Sequence, residues 1–488
     1  MGEDQGTLFP LEFNHSVKLR SAPDNLTADA GAMLLREVGE RLGLWKLLDR
    51  ALVDLRDPDL ITHPFGELLR TAVLLSAQGW SRQRDVDFLR RDPAFRLAVS
   101  KRRGESPLLA KRYGREPEGL ASQATLSRLM ATLGEGENRT ALVEVLCAWA
   151  AHRAGLSRQC PRKEITVDLD SLPTEVHGHQ PGSAYNGHYR CRCFHPLVVS
   201  WEFGDFLGGM LREGNVHTST DALEFILPYL GWVAAFANRV WLRMDAGFPS
   251  EPFLSGLEKQ GFRYVARLKT NARLERMAWP HVDRIADKEV PEELTHTVEL
   301  EYQAGSWNHA RRVMLVIEEC PLELMPRYFF LVTNASPEEE DGMELVGRYR
   351  QRGATEKEYG EWMNALDVAL SSTNRPKETY RGERPRERSE PVDSFAVNEA
   401  TLLLSMVAAN LLHTGRLLAR HSQARLWSRE TFRRHVLKAP ARVARSSRYV
   451  TLWIQEQWAG HWTRIDRELK RLYPARGSPV LQALPSPA

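Results

Sequence analysis

Cysteine is scarce in this 488-residue chain. The five present, Cys147, Cys160, Cys191, Cys193 and Cys320, are odd in number and widely spread. That argues against a disulfide framework and for a reducing, cytoplasmic compartment. Long hydrophobic runs are also missing. The longest candidate, Thr401 to Leu412, is interrupted by Ser405 and Asn410. It falls short of the ~18–20 apolar residues that a membrane span needs, so no membrane partner is expected. The opening Met-Gly-Glu-Asp-Gln-Gly is acidic and has no apolar core, so no signal peptide is expected. Neither charge sign dominates, because the net charge is only +3. With 42% hydrophobic and 26% charged residues the chain reads as globular, with room for about three domains.

The pattern along the chain changes near residue 160. Residues 1–160 read as a helical region. Thr27-Ala28-Asp29 is placed to cap a helix carrying Met33, Leu34, Val38 and Leu42, and further apolar helices follow to about Arg153. From Pro161 the texture becomes mixed. Ile165-Thr-Val-Asp-Leu-Asp170 reads as a strand, and Leu197 to Phe203 and Leu207 to Arg212 as two more. Then come a helix after Asp221, a strand ending at Asp245, a helix from Glu251, and a strand from Tyr264. This succession is that of an α/β layer arrangement over 161–275. A β-rich stretch occupies 276–336, with strands at His296–Tyr302, Arg311–Glu318 and Arg327–Thr333. A long helix is expected from Pro337 to about Leu370, then a loop over Asn374–Pro391, then an apolar helix over Phe395–Leu418. Residues 421–488 read as a basic helical tail.

Three acids stand out. Asp170 and Asp245 each end an apolar strand, and Glu356 lies in Tyr349-x-x-Arg352-x-x-x-Glu356. Open α/β sheets place their sites at strand carboxyl ends. On one helix, Tyr349, Arg352, Glu356 and Met363 fall at about 0°, −60°, −20° and −40°, which is one stripe. Carboxylates suit Mg²⁺, a hard cation, and a pair of such ions can cut and join a phosphodiester. Arg352 can hold a phosphate by a bidentate contact. Asp168 points to the same strand face as Asp170, being two residues away.

The run Tyr349 to Glu356 resembles the Y-x2-R-x3-E-x6-K signature of bacterial insertion-sequence transposases of the DDE type. Asp168-Leu-Asp170-Ser, Tyr185-Asn-Gly-His-Tyr189, His195-Pro-Leu197, Arg212-Glu-Gly-Asn-Val-His217 and Leu242-Arg-Met-Asp-Ala-Gly-Phe248 are similar to blocks of the DDE group 1 subgroup. Thr27-Ala-Asp-Ala-Gly31 and Leu120 to Arg128 also look like it. The resemblance spans about residues 24–470. It implies an RNase H-like catalytic core interrupted by a β-rich insertion, with a helical DNA-binding region before it and a basic tail after it. It further implies the triad Asp170, Asp245 and Glu356, acting as metal ligands for two Mg²⁺ ions, with Mn²⁺ able to substitute. Tyr349, Arg352 and Asp168 would support the site and position phosphate. The implied partners are double-stranded DNA, at element ends and at the target, and a second copy in a synaptic homodimer. One position departs from the signature: its final Lys is Met363.

Two further patterns have competing readings. His177, His179, His188, Cys191, Cys193 and His195 crowd into one segment. Zinc would use Cys and His, but structural sites favour C-x2–4-C pairs, and here a single Cys-x-Cys has no second pair. A DNA-facing loop is the second reading, because Arg190 and Arg192 interleave with Tyr185, Tyr189 and Phe194. A packed polar turn is the third. The tail holds Arg433, Arg434, Lys438 and further arginines to Arg448, a candidate phosphate-tracking helix. Ser122 to Arg128 is a candidate helix-turn-helix segment. The alternatives to an active transposase are a catalytically impaired or domesticated DNA-binding derivative, suggested by Met363, and a zinc-stabilised regulatory DNA-binding protein.

Overall fold

The computed structural model describes residues 8, 12–13, 16–17, 19, 25–100, 119–282, 292–321, 323, 325–366, 368–372, 380–381, 384–385, 393–420 and 426–474. Most of the expected loop at Asn374–Pro391, and parts of the basic tail, lie outside these residues. Two compact units are present. One is built from the described residues within Met1–Asp49, Asp54–Leu129 and Thr414–Gly477, the other from those within Arg50–Val53 and Met130–His413.

The second unit is organised by one eight-stranded sheet. Its strands in chain order are β1 (Ile165–Ser171), β2 (Leu197–Trp201), β3 (Phe206–Met210), β4 (Val240–Met244), β5 (Arg263–Leu268), β6 (Leu294–Tyr302), β7 (Arg311–Glu319) and β8 (Arg327–Thr333). The spatial order is β6-β7-β8-β5-β4-β1-β2-β3. Strands β1, β4 and β5 run parallel, and every other neighbouring pair is antiparallel. Helix α1 (Ala222–Val233) joins β3 to β4 and α2 (Glu251–Lys259) joins β4 to β5. The β-rich stretch is not a separate layer. It continues the same sheet through β8, which pairs with β5 from Phe330↔Leu268 to Thr333↔Val265.

Residue alternation gives the sheet two unlike faces. Val167, Leu169, Leu242, Met244, Tyr264 and Ala266 join a large apolar core with Ile226, Leu230, Leu254 and Leu257 from the two helices. On the other face Trp241, Val265, Met314, Val316 and Leu331 form a smaller core with Leu345 and Val346 of α3 (Gly342–Arg350). That second face turns polar toward the carboxyl ends of β1 and β4, where Asp168, Asp170 and Arg243 are buried. The central strands β1 and β4 are buried along their whole length on both faces, and the polar residues they carry, Thr166, Asp168, Asp170 and Arg243, are buried with them.

The long helix expected from Pro337 is two helices. Helix α3 starts in a capping box between Asp341 and Glu344, ends at Arg350, and is followed after Gln351 by α4 (Arg352–Leu366). Helix α4 lies over β2 and β3. The Tyr359 hydroxyl and Ser200 Oγ are 2.8 Å apart, and Trp362 meets Phe206 with ring centroids at 4.7 Å. Helix α5 (Ser394–Ala419) is long and apolar enough to cross a membrane, but 83% of its most apolar window is buried within the protein. Its Asn410 side chain both donates to Phe206 O and accepts from Phe206 N, each at 2.8 Å.

Three other expectations need correction. The loop before His195 contains a small sheet of Thr174–Glu175, Cys191–Phe194 and Ala184–Asn186, with the middle segment central. Its strands are too short to show periodicity. Thr27 does not cap the first helix. It belongs to a short strand, Leu26–Thr27, and the helix Gly31–Arg41 follows Ala30 without a side-chain cap. The tail is not wholly helical. After a short helical segment over 429–437 it forms a hairpin, Ala441–Arg445 with Val450–Ile454, before a last helix, Glu456–Leu472. The dense arginines suggested a helix there, but Pro440 stops one, and the β-branched Val450-Thr-Leu-Trp-Ile454 favours a strand.

Candidate active site

Two layers of charge lie one pleat apart on the α3–α4 face of the sheet. The inner layer is Asp168 and Arg243, which are register partners on β1 and β4. Arg243 donates to both Asp168 oxygens, at 2.6 and 2.8 Å. It also donates to Arg348 O at 2.6 Å, and Thr355 Oγ1 donates to Asp168 at 3.1 Å. Both partners are almost fully buried. The inner layer therefore ties the last turn of α3 and the first turn of α4 to the sheet.

The outer layer begins at the next register step. Leu169 pairs with Met244, so Asp170 and Asp245 follow side by side at the carboxyl ends of parallel strands. Asp170 is buried and accepts from its neighbour Ser171 N at 2.8 Å. Asp245 is partly exposed and accepts from Gly247 N at 2.8 Å. Gly247 cannot carry a side chain easily, because a Cβ would stand 2.9 Å from Thr218 Cγ2. Above them the first turn of α4 presents Arg352 and Glu356. Arg352 is buried, donates to Asp170 Oδ2 at 2.8 Å, and forms an ion pair with Glu356. Glu356 is exposed. Three carboxylates thus surround one guanidinium.

The electrostatics follow from that imbalance. Burial pushes the Asp170 carboxyl up to about 7. Arg352 works against this rise, while Asp245 and Glu356 add to it. Burial alone would loosen the proton on Arg352, but Asp170, Glu356, Tyr349 and Asp245 raise its pKa on balance. With all three acids ionised the layer carries two uncompensated negative charges. Such a cluster of hard oxygen donors calls for a cation. Among the described residues no three acidic, histidine or cysteine groups converge closely enough to hold an ion. The outer layer fits a divalent cation by donor chemistry and charge, not by preformed geometry, because Arg352 already holds Asp170 and Glu356.

Tyr349 belongs to α3, on the far side of the break at Gln351. It does not share a continuous stripe with Arg352, yet it remains at the site. Its ring packs on Phe329 at 6.3 Å. Its phenol is held above the usual range by burial, with Arg352 and Arg267 opposing and Glu356 and Asp245 reinforcing. Met363 is half-buried on α4. It lies seven residues beyond Glu356, close to the same helix face.

Tyr189 and His195, read from sequence as parts of a zinc or DNA-facing loop and of resembling blocks, both stand at this edge. Burial, then the charges of Asp245 and Asp170, raise the Tyr189 pKa, and its ring meets His195 edge-on at 5.6 Å. Burial lowers the His195 pKa, which favours the neutral imidazole. In that form Nδ1–H can donate to Val216 O, 3.2 Å away. Asn186 builds the turn that carries Tyr189. It accepts from His188 N and Tyr189 N, and donates to Gly214 O at 2.7 Å. Gly214 must be glycine, since a Cβ would stand 2.0 Å from Cys193 O. Arg212 donates to the carbonyls of His195, His217, Thr218 and Thr220. One buried guanidinium thereby shapes the loop whose Thr218 abuts Gly247. The only sequence signal for these roles was the resemblance of their blocks.

The expected DNA-contacting residues differ in placement. Arg190 is exposed, with a left-handed φ of 57°. Arg192 is half-buried and donates to Ser183 O at 2.7 Å. Arg128 is exposed on the helix Gln123–Leu133, and residues 101–118 before it are outside the described set. Arg433 is buried and donates to Ala77 O at 3.3 Å. Lys438 pairs with the buried Asp29 at 2.5 Å and lies over the Trp80 ring. Arg434 is exposed beside Glu430. In the His/Cys segment, His177, His179 and His188 are exposed while Cys193 and His195 are buried, and among the described residues no three such groups come together to hold a metal ion.

A comparison with curated proteins finds no match. The family model described as transposase DDE domain group 1 matches residues 9–379 of the 488. The matched span contains both layers of the site and ends beyond α4. A match over that share of its length means that the chain belongs to the transposase DDE domain group 1 family.

Proposed function

We propose that this chain cuts DNA at the ends of an insertion sequence and joins the freed 3′-hydroxyl to target DNA. The observation that carries this reading is the outer layer: three carboxylates from two strand ends and one helix around a single guanidinium. The strand order β3-β2-β1-β4-β5, with β1, β4 and β5 parallel, supports an RNase H-like core. We assign the triad to Asp170, Asp245 and Glu356. Asp168 is the weaker candidate for the first acid, because Arg243 and Thr355 already saturate it.

Two Mg²⁺ or Mn²⁺ ions bound there would activate the attacking oxygen and stabilise the leaving one. Asp170 and Asp245 would hold cations at the sheet edge, and Glu356 would reach them from solvent. Arg352, freed from Glu356, would take a non-bridging phosphate oxygen, and Tyr349 would flank it. The neutral His195 and the Tyr189 ring would close the rim against water. Duplex DNA is the substrate, and a synaptic homodimer would bring two ends together.

The test uses the inverted repeats that flank the coding sequence, offered as labelled duplex with Mg²⁺. Cleavage at the repeat boundary that disappears in Asp245→Asn, while duplex binding persists, is the expected result. Cleavage that survives this substitution would refute the assignment. Binding without any Mg²⁺- or Mn²⁺-dependent cleavage would refute the activity.

A further inference from the structure

The hairpin Ala441–Arg445/Val450–Ile454 has two faces with different duties. Its first strand pairs with Leu26–Thr27 to complete a three-stranded sheet. One face is structural: Ala441 and Ala439 are buried with Ala30, against Leu452, Ile454, Trp458 and Trp462. The other face is left to solvent. Arg442 stands directly across from Trp453, and both are exposed, Trp453 at 65%. The tip is a tight turn in which Ser446 N donates to Tyr449 O at 2.8 Å and Tyr449 N donates back to Ser446 Oγ at 3.0 Å. That turn holds out Arg448 and Tyr449, the latter 73% exposed.

The charge on this segment is one-sided. Between Glu430 and Glu456 there are six lysines and arginines and no acidic residue. Arg433 and Lys438 are engaged in packing this unit, as described above. Arg442, Arg445 and Arg448 are exposed along the hairpin and its tip. Two large rings are held in water, Trp453 across from Arg442 and Tyr449 next to Arg448 at the tip, with Arg445 exposed at the strand end. Exposed aromatic surface of this kind marks a contact site. Each strand of five residues extends about 17 Å, enough to cross a DNA groove about 12 Å wide.

We propose that this hairpin is a wing that lies against double-stranded DNA, with Arg442, Arg445 and Arg448 on phosphates and Tyr449 and Trp453 against the sugar–base edge. Phosphate contacts of this kind add affinity without sequence preference. The proposal rests on the reading of the chain as a DNA transposase and locates one of its DNA contacts.

The test is fluorescence anisotropy of the full chain on a fluorescein-labelled duplex of mixed sequence, repeated from 50 to 200 mM salt. The triple variant R442Q/R445Q/R448Q is expected to keep its thermal midpoint. It should bind at least about tenfold more weakly at low salt and lose about 2.7 from the slope of log affinity against log salt. The matching triple lysine variant should recover the slope. Y449A/W453A should weaken binding severalfold with the slope unchanged. A triple glutamine variant with wild-type affinity and slope would overturn the wing, as would a wild-type chain that does not bind the duplex. So would a Y449A/W453A variant whose only change is a shift from dimer to monomer by light scattering, because the face would then be a protein contact. Hairpin-dependent binding without cleavage at the repeats would leave the wing standing and sink the transposase reading instead.

Discussion

The inner and outer charge layers both stand on β1 and β4, the outer one completed by Arg352 and Glu356 of α4, yet they are opposite in kind. Asp168 and Arg243 are matched one to one, buried, and bonded on every side. Asp170, Asp245 and Glu356 outnumber Arg352 three to one, and the last of them faces water. A balanced pair in a low-dielectric interior is a fastener, costly to break because the remaining charge has nowhere to go. An unbalanced cluster at a strand end is a demand for a ligand. Two residues along each strand separate a matched, buried pair from an unmatched cluster.

The largest expected effect is on chemistry. Asp170→Asn and Asp245→Asn should each lower cleavage of repeat-containing duplex by at least ~10³-fold, the scale on which loss of a central catalytic group acts. In EDTA, Asp170→Asn should leave the thermal midpoint at or above that of the wild type, because it relieves a net negative cluster. Asp168→Ala should do the reverse. It strands a buried guanidinium, so denaturant unfolding should show a loss of about 3–5 kcal/mol. If Asp168→Ala unfolds like the wild type and loses only cleavage, the two layers are not different in kind.

A smaller effect belongs to the rim. Burial holds the His195 pKa below that of a free imidazole, which is about 6.5. The unfolded chain therefore takes up the proton first as pH falls. The contribution of His195 to stability should be fully present above pH 6.5 and decline below it, through the folded-state value. In His195→Gln that part of the pH–stability profile should flatten, as measured by chemical denaturation between pH 7.5 and 5. The smallest change is Met363→Lys, which adds a cation near the Glu356 face of α4. It should steepen the salt dependence of duplex binding by about 0.9 and tighten binding a few-fold. An unchanged slope would mean that DNA does not pass this face.

Much of this was legible in the sequence. The strands that end at Asp170 and Asp245 declared themselves as β-branched or apolar runs, and the block Tyr349 to Glu356 pointed to the helix above them. Three things were not legible. A period of two could not separate Asp168 from Asp170, because the difference lies in Arg243 on another strand. The break at Gln351 has no proline to announce it, so Tyr349 and Arg352 looked like one stripe. The hairpin at Ala441–Ile454 was hidden by arginine density, which reports solvent exposure and not backbone conformation. Arg212 was visible only as part of a resembling block, since a guanidinium that gathers the carbonyls of His195, His217, Thr218 and Thr220 leaves no local periodicity.

The β3 side of the sheet ends in a way that limits what can join it. An outer strand normally offers its free amides and carbonyls to any passing chain. Here Asn410 takes both polar groups of Phe206, the Cys147 thiol lies 3.4 Å from Leu207 O, and Glu399 receives Leu211 N. Side chains thus impersonate a neighbouring strand. Strand addition to this sheet is opposed on this side, which leaves its other edge, β6, as the place where a partner strand would join it.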